Sequence, residues 1–443
     1  MSTLRFAAFM AVSMATTGLI QTTNAASMAE AMSKAITSHP EVLSAEKGRA
    51  AIGHQIDMAK AGYKPTLDIT MGTGYEGSKN SSTRYRAGRP NGDNEGFKDL
   101  WRNEARVVAR QMVFDGFQTK SRVAQQKNRF ESATYHTMDV RNQVALRAAE
   151  SYLNVLRGRE LLALAQDNLS THQSYISKIQ NRVNGGRASK ADVNQAVGRT
   201  AQAQANVEQA IGDLRQAEAA YLEAVGEMPN NPAKEATPFG SIPANTTAAI
   251  GEAMNNSPVI ASAKADIKAA NAELAEAKCR FCPRIELEGG ASRNWNLDGV
   301  ESINWDQYAM LYYRQNLYNG GHDVAQVKER VERVKQAQDM MEQERRQVEE
   351  AVIKAYARMD ASKAKLEPLS THVEASTSTR DAYAMQFDLG QRTLLDLLDS
   401  EVELFNARNA LINGKFDLDA AAYGVLAHMG NLVPASATQV ASK

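Results

Sequence analysis

The chain has 443 residues with 51 basic and 51 acidic side chains, so its formal net charge is zero. This balance argues against nucleic acid as the main partner, because binding to phosphates depends on clustered positive charge. With only 11 prolines and long stretches rich in Ala, Gln, Glu, Lys and Arg, the composition favours extended helices over a series of small domains.

Residues 1–26 have the pattern of a secretory signal. Arg5 supplies an early positive charge, an apolar run extends from Phe6 to Ile20, and the segment ends in small residues. We therefore expect export, with cleavage after Ala25 or Ala26. No later segment approaches the roughly 20 apolar residues of a transmembrane helix. The exported protein would either stay in solution or enter a membrane as strands.

Beyond this segment the chain contains one unit twice. The stretch 111–226 returns without a gap as 315–430, and the landmarks Tyr152, Gly186 and Gly226 return as Tyr356, Gly390 and Gly430. This duplication predicts a first repeat at 27–227, a Pro-rich linker at 228–249, a second repeat at 250–433 and a tail at 434–443. The first copy holds extra residues before Gln111, where we expect a surface loop.

Each repeat contains two segments that alternate apolar and polar residues, which predicts four β-strands. Each segment is about ten residues long, the length of a tilted strand that crosses a bilayer. The apolar positions are Leu67, Ile69, Met71 and Tyr75, then Ala105, Val107, Ala109 and Val113, then Ile285, Leu287 and Ala291, and finally Ala309, Leu311, Tyr313 and Leu317.

Two interpretations of these strands are possible. A small soluble sheet is the simpler one, but every other segment is predicted to be helical, which leaves no apolar surface to cover such a sheet. Four strands from one chain cannot enclose a lumen, so the membrane interpretation requires several chains to share one barrel.

Helices of matching length are predicted around the strands. The segment 115–183 would extend about 100 Å, while 188–226 and 248–278 would extend about 60 and 45 Å. Two shorter helices stacked end to end therefore equal one long helix. The second copy repeats this pattern with 321–389, 393–429 and 27–62. The lengths predict a cylinder wall, with the Pro-rich stretch as an irregular belt at mid-height.

The second long helix has two further features. Apolar residues recur at steps of three and four from Val324 to Leu366, which indicates coiled-coil contact. Pro368 lies inside the same segment and is expected to kink or break the helix.

The sequence predicts no enzymatic function, metal site or cofactor. The two cysteines, Cys279 and Cys282, lack the further cysteines or histidines of a tetrahedral site, which favours a local disulfide or two idle thiols. No His-Glu-x-x-His pattern, Gly-x-Ser-x-Gly elbow or phosphate-binding glycine loop is present.

Several short motifs occur in the same order in both copies. They are His39 to Leu43 and Ser257 to Ile260, Ala61 to Asp68, Phe114 to Gly116 and Tyr318 to Gly321, and the turns Gly186 to Asp192 and Gly390 to Asp399. In this order they resemble the TolC family of outer-membrane ducts over almost the whole mature chain.

The resemblance implies a mainly α fold with a β-barrel part. Each chain of a homotrimer would give four strands to a shared twelve-stranded barrel among outer-membrane lipids. The long coiled-coil helices would form a periplasmic tunnel that tapers to a gated end. A periplasmic adaptor and an inner-membrane transporter, driven by ATP or protons, would be the partners, and the pump would supply the energy.

The segment from Phe387 to Asp399 resembles the inner turn of this family. There Asp396 and Asp399 would form an acidic ring at the periplasmic aperture, and this ring would favour cations. The residues alone allow another interpretation, because Thr393 with Asp396 and Ser189 with Asp192 are typical helix N-cap pairs. Capping accounts for Asp396 but not for Asp399.

The same resemblance implies a latch that holds the tunnel shut. Arg392 would tie to Asp192 of a neighbouring turn. Phe387 stands where the family usually has tyrosine, so one hydrogen bond would be missing and the closed state would be held less firmly.

The favoured function is a passive export duct that serves a pump and an adaptor. The forms Ala61 to Asp68 and Leu317 to Asp323 resemble branches that partner type I protein secretion, and multidrug efflux is the alternative cargo class. A soluble periplasmic coiled-coil adaptor or scaffold is the alternative outside the duct class, and it would be extracted without detergent.

Overall fold

The computed structural model of the chain describes residues 27–86, 97–186 and 189–433. The predicted signal at 1–26 and the predicted tail at 434–443 lie outside these residues. The helices of the described residues are α1 (Met28–Ser38), α2 (Pro40–Lys60), α3 (Ser81–Arg86), α4 (Gln118–Asn184), α5 (Lys190–Val225), α6 (Thr246–Asn256), α7 (Pro258–Lys278), α8 (His322–Asp388) and α9 (Leu394–His428). The strands are β1 (Thr66–Ser78), β2 (Lys98–Phe114), β3 (Arg284–Trp295) and β4 (Ile303–Arg314).

The four strands form one antiparallel sheet in chain order. Ile69 lies opposite Val107, and Leu287 lies opposite Leu311. A register shift between Met112 and Phe114 interrupts the pairing of β2 with β3. Because side chains alternate along each strand, these registers place the predicted apolar positions of all four strands on the same face. The exceptions are Val113, which lies at the register shift, and Leu317, which follows the end of β4.

The two faces of the sheet differ in chemistry. On the apolar face, Leu67 is 70% exposed and Leu311 is 66% exposed, so no part of the described chain covers them. On the other face, Arg110 lies 3.0 Å from Asp68 and 2.9 Å from Glu288 in a chain of ion pairs. An uncovered apolar face opposite a charged face is the pattern of a wall between lipid and water.

The long helices α4 and α8 have the same length, 67 residues each. Helix α4 packs against α2 and α7 in one half and against α5 and α9 in the other, while α8 packs against α7 and α9. Each long helix therefore runs beside shorter helices stacked end to end, as the predicted lengths require. Among the described residues, no helix is both long enough and apolar enough to cross a membrane.

The expected break at Pro368 is wrong, whereas the kink that was expected as its alternative stays a prediction. Helix α8 continues through this residue to Asp388. Around this proline, α8 packs closely against Gly414 of α9. A β-carbon added at Gly414 would lie 2.9 Å from Leu369 and 3.4 Å from Leu366 of α8. These close approaches on both sides of the proline hold α8 against α9 where the helix lacks one N–H group.

Two of the predicted short helices are each divided in two. Helix α1 ends before His39 and α2 begins at Pro40, while α6 ends before Ser257 and α7 begins at Pro258. Both dividing residues are extended, with ψ of 133° and 121°. A residue that precedes proline disfavours the helical region, and this local effect explains both breaks.

The equivalent tyrosines of the two repeats each bond to a backbone carbonyl within the Pro-rich linker. Tyr152 donates to the carbonyl of Ala233 at 2.7 Å, and Tyr356 donates to the carbonyl of Pro243 at 2.6 Å. Tyr152 belongs to the largest buried apolar cluster, which joins α1, α2, α4 and α5 with Phe416 and Tyr423 of α9. The linker is thus fixed to the core at mid-height.

Cys279 and Cys282 are both free thiols. Cys279 begins a short 3₁₀ turn between α7 and β3, and Cys282 directly follows this turn. Gly116 lies against this turn, because a β-carbon there would stand 2.3 Å from the β-carbon of Cys282. Within the described residues, no group of three His, Cys, Asp or Glu side chains could hold a metal ion.

Candidate functional site

The predicted gate lies where two helical hairpins end. Helices α4 and α5 form one hairpin, and α8 and α9 form the other. Gly186 and Gly390, which are equivalent in the two repeats, have φ of 70° and 78°. Glycine tolerates this left-handed conformation, which ends a helix and reverses the chain.

The returning helices of both hairpins begin with a side-chain cap. The backbone N–H of Ser189 donates to Asp192 at 2.8 Å, and the N–H of Asp192 donates to the Ser189 hydroxyl at 3.3 Å, which completes a reciprocal capping box. In the second hairpin, the N–H of Asp396 donates to the Thr393 hydroxyl at 3.3 Å.

The two predicted aperture carboxylates differ in their surroundings. The hydroxyl of Thr393 donates to Asp396 at 2.8 Å, and this bond, with Arg392 nearby, holds the pKa of the Asp396 carboxyl below its usual range. Asp399 instead pairs with Arg199 of α5 at 2.6 Å. Asp399 therefore connects the two hairpins of one chain, which the sequence did not indicate.

Within the described chain, Arg392 contacts residues of its own hairpin, which α8 and α9 form. Its guanidinium lies 4.0 Å from the centre of the Tyr383 ring, donates to Gln386 at 3.0 Å and stands 3.7 Å from Asp396. Asp192 of the same chain is not among these contacts. A tie between Arg392 and Asp192 of a neighbouring turn stays a prediction.

Phe387 is buried in a cluster that closes the hairpin ends. Its neighbours in this cluster include Tyr175 and Ile179 of α4 and Leu394 of α9. The guanidinium of Arg182 stacks 4.1 Å from the centre of the Phe387 ring and donates to the Phe387 carbonyl at 3.0 Å. Phe387 therefore joins the hairpins through Arg182, a residue that the sequence analysis missed.

A buried polar group lies further along the hairpins from the turns. Tyr175 donates to Glu401 at 2.7 Å, and Arg380 donates to the same carboxylate oxygen at 3.1 Å. Glu401 is only 4% exposed, and burial raises the pKa of the Tyr175 hydroxyl well above its usual range. The signal for this group was present, because Glu401 lies on the apolar face of α9 that Leu397 and Leu404 define.

Several contacts thus link the hairpins within one chain, and three of them lie near the turns. These three involve Arg182 with Phe387, Arg199 with Asp399, and Tyr175 with Glu401. Any widening at the hairpin ends that moves one hairpin against the other must break or remake these contacts.

The chain matches known proteins over both repeats. The sequence profile of the family described as "Outer membrane efflux protein" matches residues 31–227 and 249–431. The outer membrane efflux protein BepC of Brucella suis is 24% identical over 403 residues, which cover 91% of this chain and 85% of BepC. The outer membrane protein TolC of Escherichia coli is 22% identical over 425 residues, which cover 92% of this chain and 82% of TolC.

Two further similarities bear on the branch of the family and on the fold. The alkaline protease secretion protein AprF of Pseudomonas aeruginosa is 26% identical over 179 residues, 40% of this chain and 37% of AprF. A crystal structure of CusC superposes with a TM-score of 0.76 at 17% identity and covers 91% of each chain. At this identity the structural likeness shows the fold alone. Because the family profile spans both repeats, the chain belongs to the outer membrane efflux protein family, the TolC family, and lies in the outer membrane with its helices extending into the periplasm.

Proposed function

We propose that three copies of this chain form a passive duct across the outer membrane and the adjoining periplasm. The observation that carries the proposal is the four-stranded sheet with one uncovered apolar face and one charged face. Four strands cannot close around a lumen, whereas twelve strands from three chains can.

In this duct the apolar face meets lipid and the charged face lines the lumen. The residues Leu67, Leu311 and Tyr313 would lie in the hydrocarbon region, each more than 60% exposed in the single chain. The ion pairs of Arg110 would face water inside the barrel. Charged side chains are costly on a lipid-facing surface and are tolerated in a lumen.

The hairpin ends would form the periplasmic gate of the duct. Asp396 and Asp399 from three chains would give an acidic ring that favours cations, and Arg392 would reach Asp192 of an adjacent turn. The contacts of Arg182, Arg199 and Tyr175 support a gate, because they couple the hairpins that must move apart when it opens.

We infer that the duct takes its cargo from an inner-membrane transporter through a periplasmic adaptor and that it performs no catalysis itself. The likeness to AprF, whose name states alkaline protease secretion, supports proteins as cargo through type I secretion. The name of BepC, which matches a larger share of the chain, supports small-molecule efflux as the second candidate.

Planar-bilayer recording tests the duct itself. Detergent-purified protein should insert and give stable single channels that conduct ions. Protein that is extracted without detergent and gives no conductance would contradict the duct and favour the scaffold. Deletion of the gene should abolish secretion of a protein substrate if type I secretion is correct, and should only increase sensitivity to toxic small molecules if efflux is correct.

A further inference from the structure

A groove runs between α4 and α8 at mid-height, where the C-terminal end of α9 meets the N-terminal end of α7. Two adjoining cavities of about 290 and 200 Å³ occupy it. Asp139 of α4, Val259 of α7 and Glu344 of α8 line both cavities, so the two form one continuous space.

The lining of these two cavities carries a net negative charge, which a hydrogen bond from the Gln143 amide to Asp139 at 2.7 Å partly offsets. Asp139, Glu344 and Asp266 contribute carboxylates, and none of the lining residues is Lys or Arg. Within the described chain, none of the three carboxylates forms an ion pair. A third cavity shares Leu146, Gln347, Ala351 and His428 with the larger one. Its charges balance, because Lys354 and Arg358 accompany Glu350 and Glu150 there.

Asn142 gives a second, independent indication of a ligand. The residue is only 8% exposed, and its amide nitrogen donates to the carbonyl of Ala427 at 2.7 Å. Its amide oxygen is buried and has no hydrogen-bond partner among the described residues. Buried acceptors normally have a partner, so this oxygen in the lining of the larger cavity calls for a donor.

The helix ends at the groove do not change the negative sign of its charge. The carbonyl end of α9 favours a cation, and the amide end of α7 opposes one. Because the two ends lie side by side, their fields largely cancel and the carboxylates decide. Burial raises the pKa of the Asp139 carboxyl and repulsion from Glu344 adds to this effect, while His136, His428 and the hydrogen bond from Gln143 oppose it.

The remaining lining is apolar and suits a carbon skeleton. Leu146 and Val348 lie in the larger cavity, Met340 lies in the smaller one, and Val259 is shared. A fully hydrated inorganic ion gains nothing from such a surface, whereas an organic cation buries apolar area against it.

We propose that this groove binds an organic ammonium ion that carries an apolar body. The ammonium group would donate to the carboxylates of Asp139 and Glu344 and to the amide oxygen of Asn142. The body would lie against Leu146, Val259 and Val348. One chain supplies every group of this site, so the inference goes beyond the proposed duct and does not depend on it.

Calorimetric titration of the detergent-purified full chain with phenethylammonium chloride tests the site. The titration is carried out at pH 8, and burial lowers the pKa of the lining imidazole of His428. We expect one site per chain with millimolar affinity or tighter. The neutral analogue 2-phenylethanol should bind at least tenfold more weakly, since it lacks the charge-assisted hydrogen bonds.

Matched variants locate the site. Glu344→Gln should weaken phenethylammonium binding roughly tenfold through loss of one charged partner, whereas Glu349→Gln, an exposed change on the same helix outside the lining, should have no effect. Asn142→Leu should also weaken binding. If that variant does not fold, the comparison of the two glutamate variants decides.

Three results would overturn the proposal. They are the absence of binding heat with phenethylammonium, equal binding of 2-phenylethanol, and equal binding by the Glu344→Gln and Glu349→Gln proteins. Titration with magnesium chloride provides a further test. Displacement of phenethylammonium by low millimolar Mg²⁺ would contradict the proposal and identify the groove as a site for a divalent cation. Conductance plays no part in these readouts, so failure here leaves the duct unaffected.

Discussion

Arg392 is the residue where the family resemblance and the observed contacts differ most. In one chain it stacks on Tyr383 and bonds to Gln386, so it braces its own turn. In a trimer, a carboxylate of an adjacent turn could replace its contact with Asp396. The role of Arg392 as a latch therefore depends on the assembly.

Replacing Arg392 with Ser should raise the conductance of the trimer. An exposed ion pair contributes about 1 kcal/mol or less, so the open fraction should rise by about fivefold at most. Single-channel recording in a planar bilayer measures the change. Lys415→Ser removes the same charge from an exposed site on α9 and should leave conductance unchanged. Equal conductance of wild type and Arg392→Ser would remove Arg392 from the latch.

The double change Asp396→Ala and Asp399→Ala should weaken block by multivalent cations added from the periplasmic end. An acidic ring concentrates such cations, and each trimer would lose six charges. The block constant from current recordings is the measurement. Asp360→Ala, an exposed change at mid-height of α8, is the control. An unchanged block constant would mean that both carboxylates serve only their own chains, through Thr393 and Arg199.

His172 predicts a pH dependence of the hairpin ends. It is 2% exposed beside Tyr175, and burial lowers its pKa, while Glu401 opposes the shift and Arg199 adds to it. The unfolded chain takes up a proton on this imidazole near pH 6.5, whereas the folded protein does so only at lower pH. The contribution of His172 is therefore fully present above about pH 6.5 and falls as pH decreases below it.

We accordingly expect the melting temperature to fall between pH 7 and pH 5, and His172→Phe should reduce that slope. Scanning calorimetry at both pH values measures it. Exposed His54→Phe on α2 provides the matched change, which should leave the slope as it is. Parallel curves for wild type and His172→Phe would show that other groups set the dependence.

At the scale of elements, the sheet makes the sharpest prediction, because its two faces should tolerate charge differently. Leu311 lies on the apolar face opposite Leu287, and Met310 lies on the other face opposite Glu288. Leu311→Arg should destabilise the inserted protein by about 2–4 kcal/mol if it reaches the bilayer midplane, whereas Met310→Arg should be tolerated.

Outer-membrane fractionation followed by urea unfolding in detergent micelles measures both variants. The expected result is that Leu311→Arg lowers the inserted amount and the free energy of unfolding while Met310→Arg does neither. Equal effects of the two substitutions would contradict a lipid-facing apolar surface.

The helical elements show how local and tertiary effects combine. The breaks at His39 and Ser257 follow from the prolines after them, so the sequence contained that information although the predicted helices ran through it. At Pro368 the expected break did not occur, and α8 continues through this residue beside its close approach to Gly414.

For the whole molecule, the number of chains in the assembly is the property that matters most. Protein purified in mild detergent should have the mass of three chains, because a sheet with an uncovered apolar face and two unpaired edge strands needs partners. Analytical ultracentrifugation with correction for bound detergent measures this mass. A single-chain mass in detergent would contradict the shared barrel.

The sequence by itself determined the duplication, the four amphipathic strands, the helix lengths and the turn glycines. These features are local, since side-chain period, proline and glycine act within a few residues. Even the choice of the apolar face of each strand needed no tertiary information.

Only the tertiary structure decided which distant side chains meet. Arg199 bonds to Asp399, Arg182 to Phe387, and Tyr175 to Glu401, and about 200 residues of chain separate the partners of each pair. The groove with Asn142 and Glu344 likewise depends on how α4 and α8 are spaced by α7 and α9. A side chain with several possible partners bonds to the one that helix packing brings within reach, and no local pattern encodes that distance.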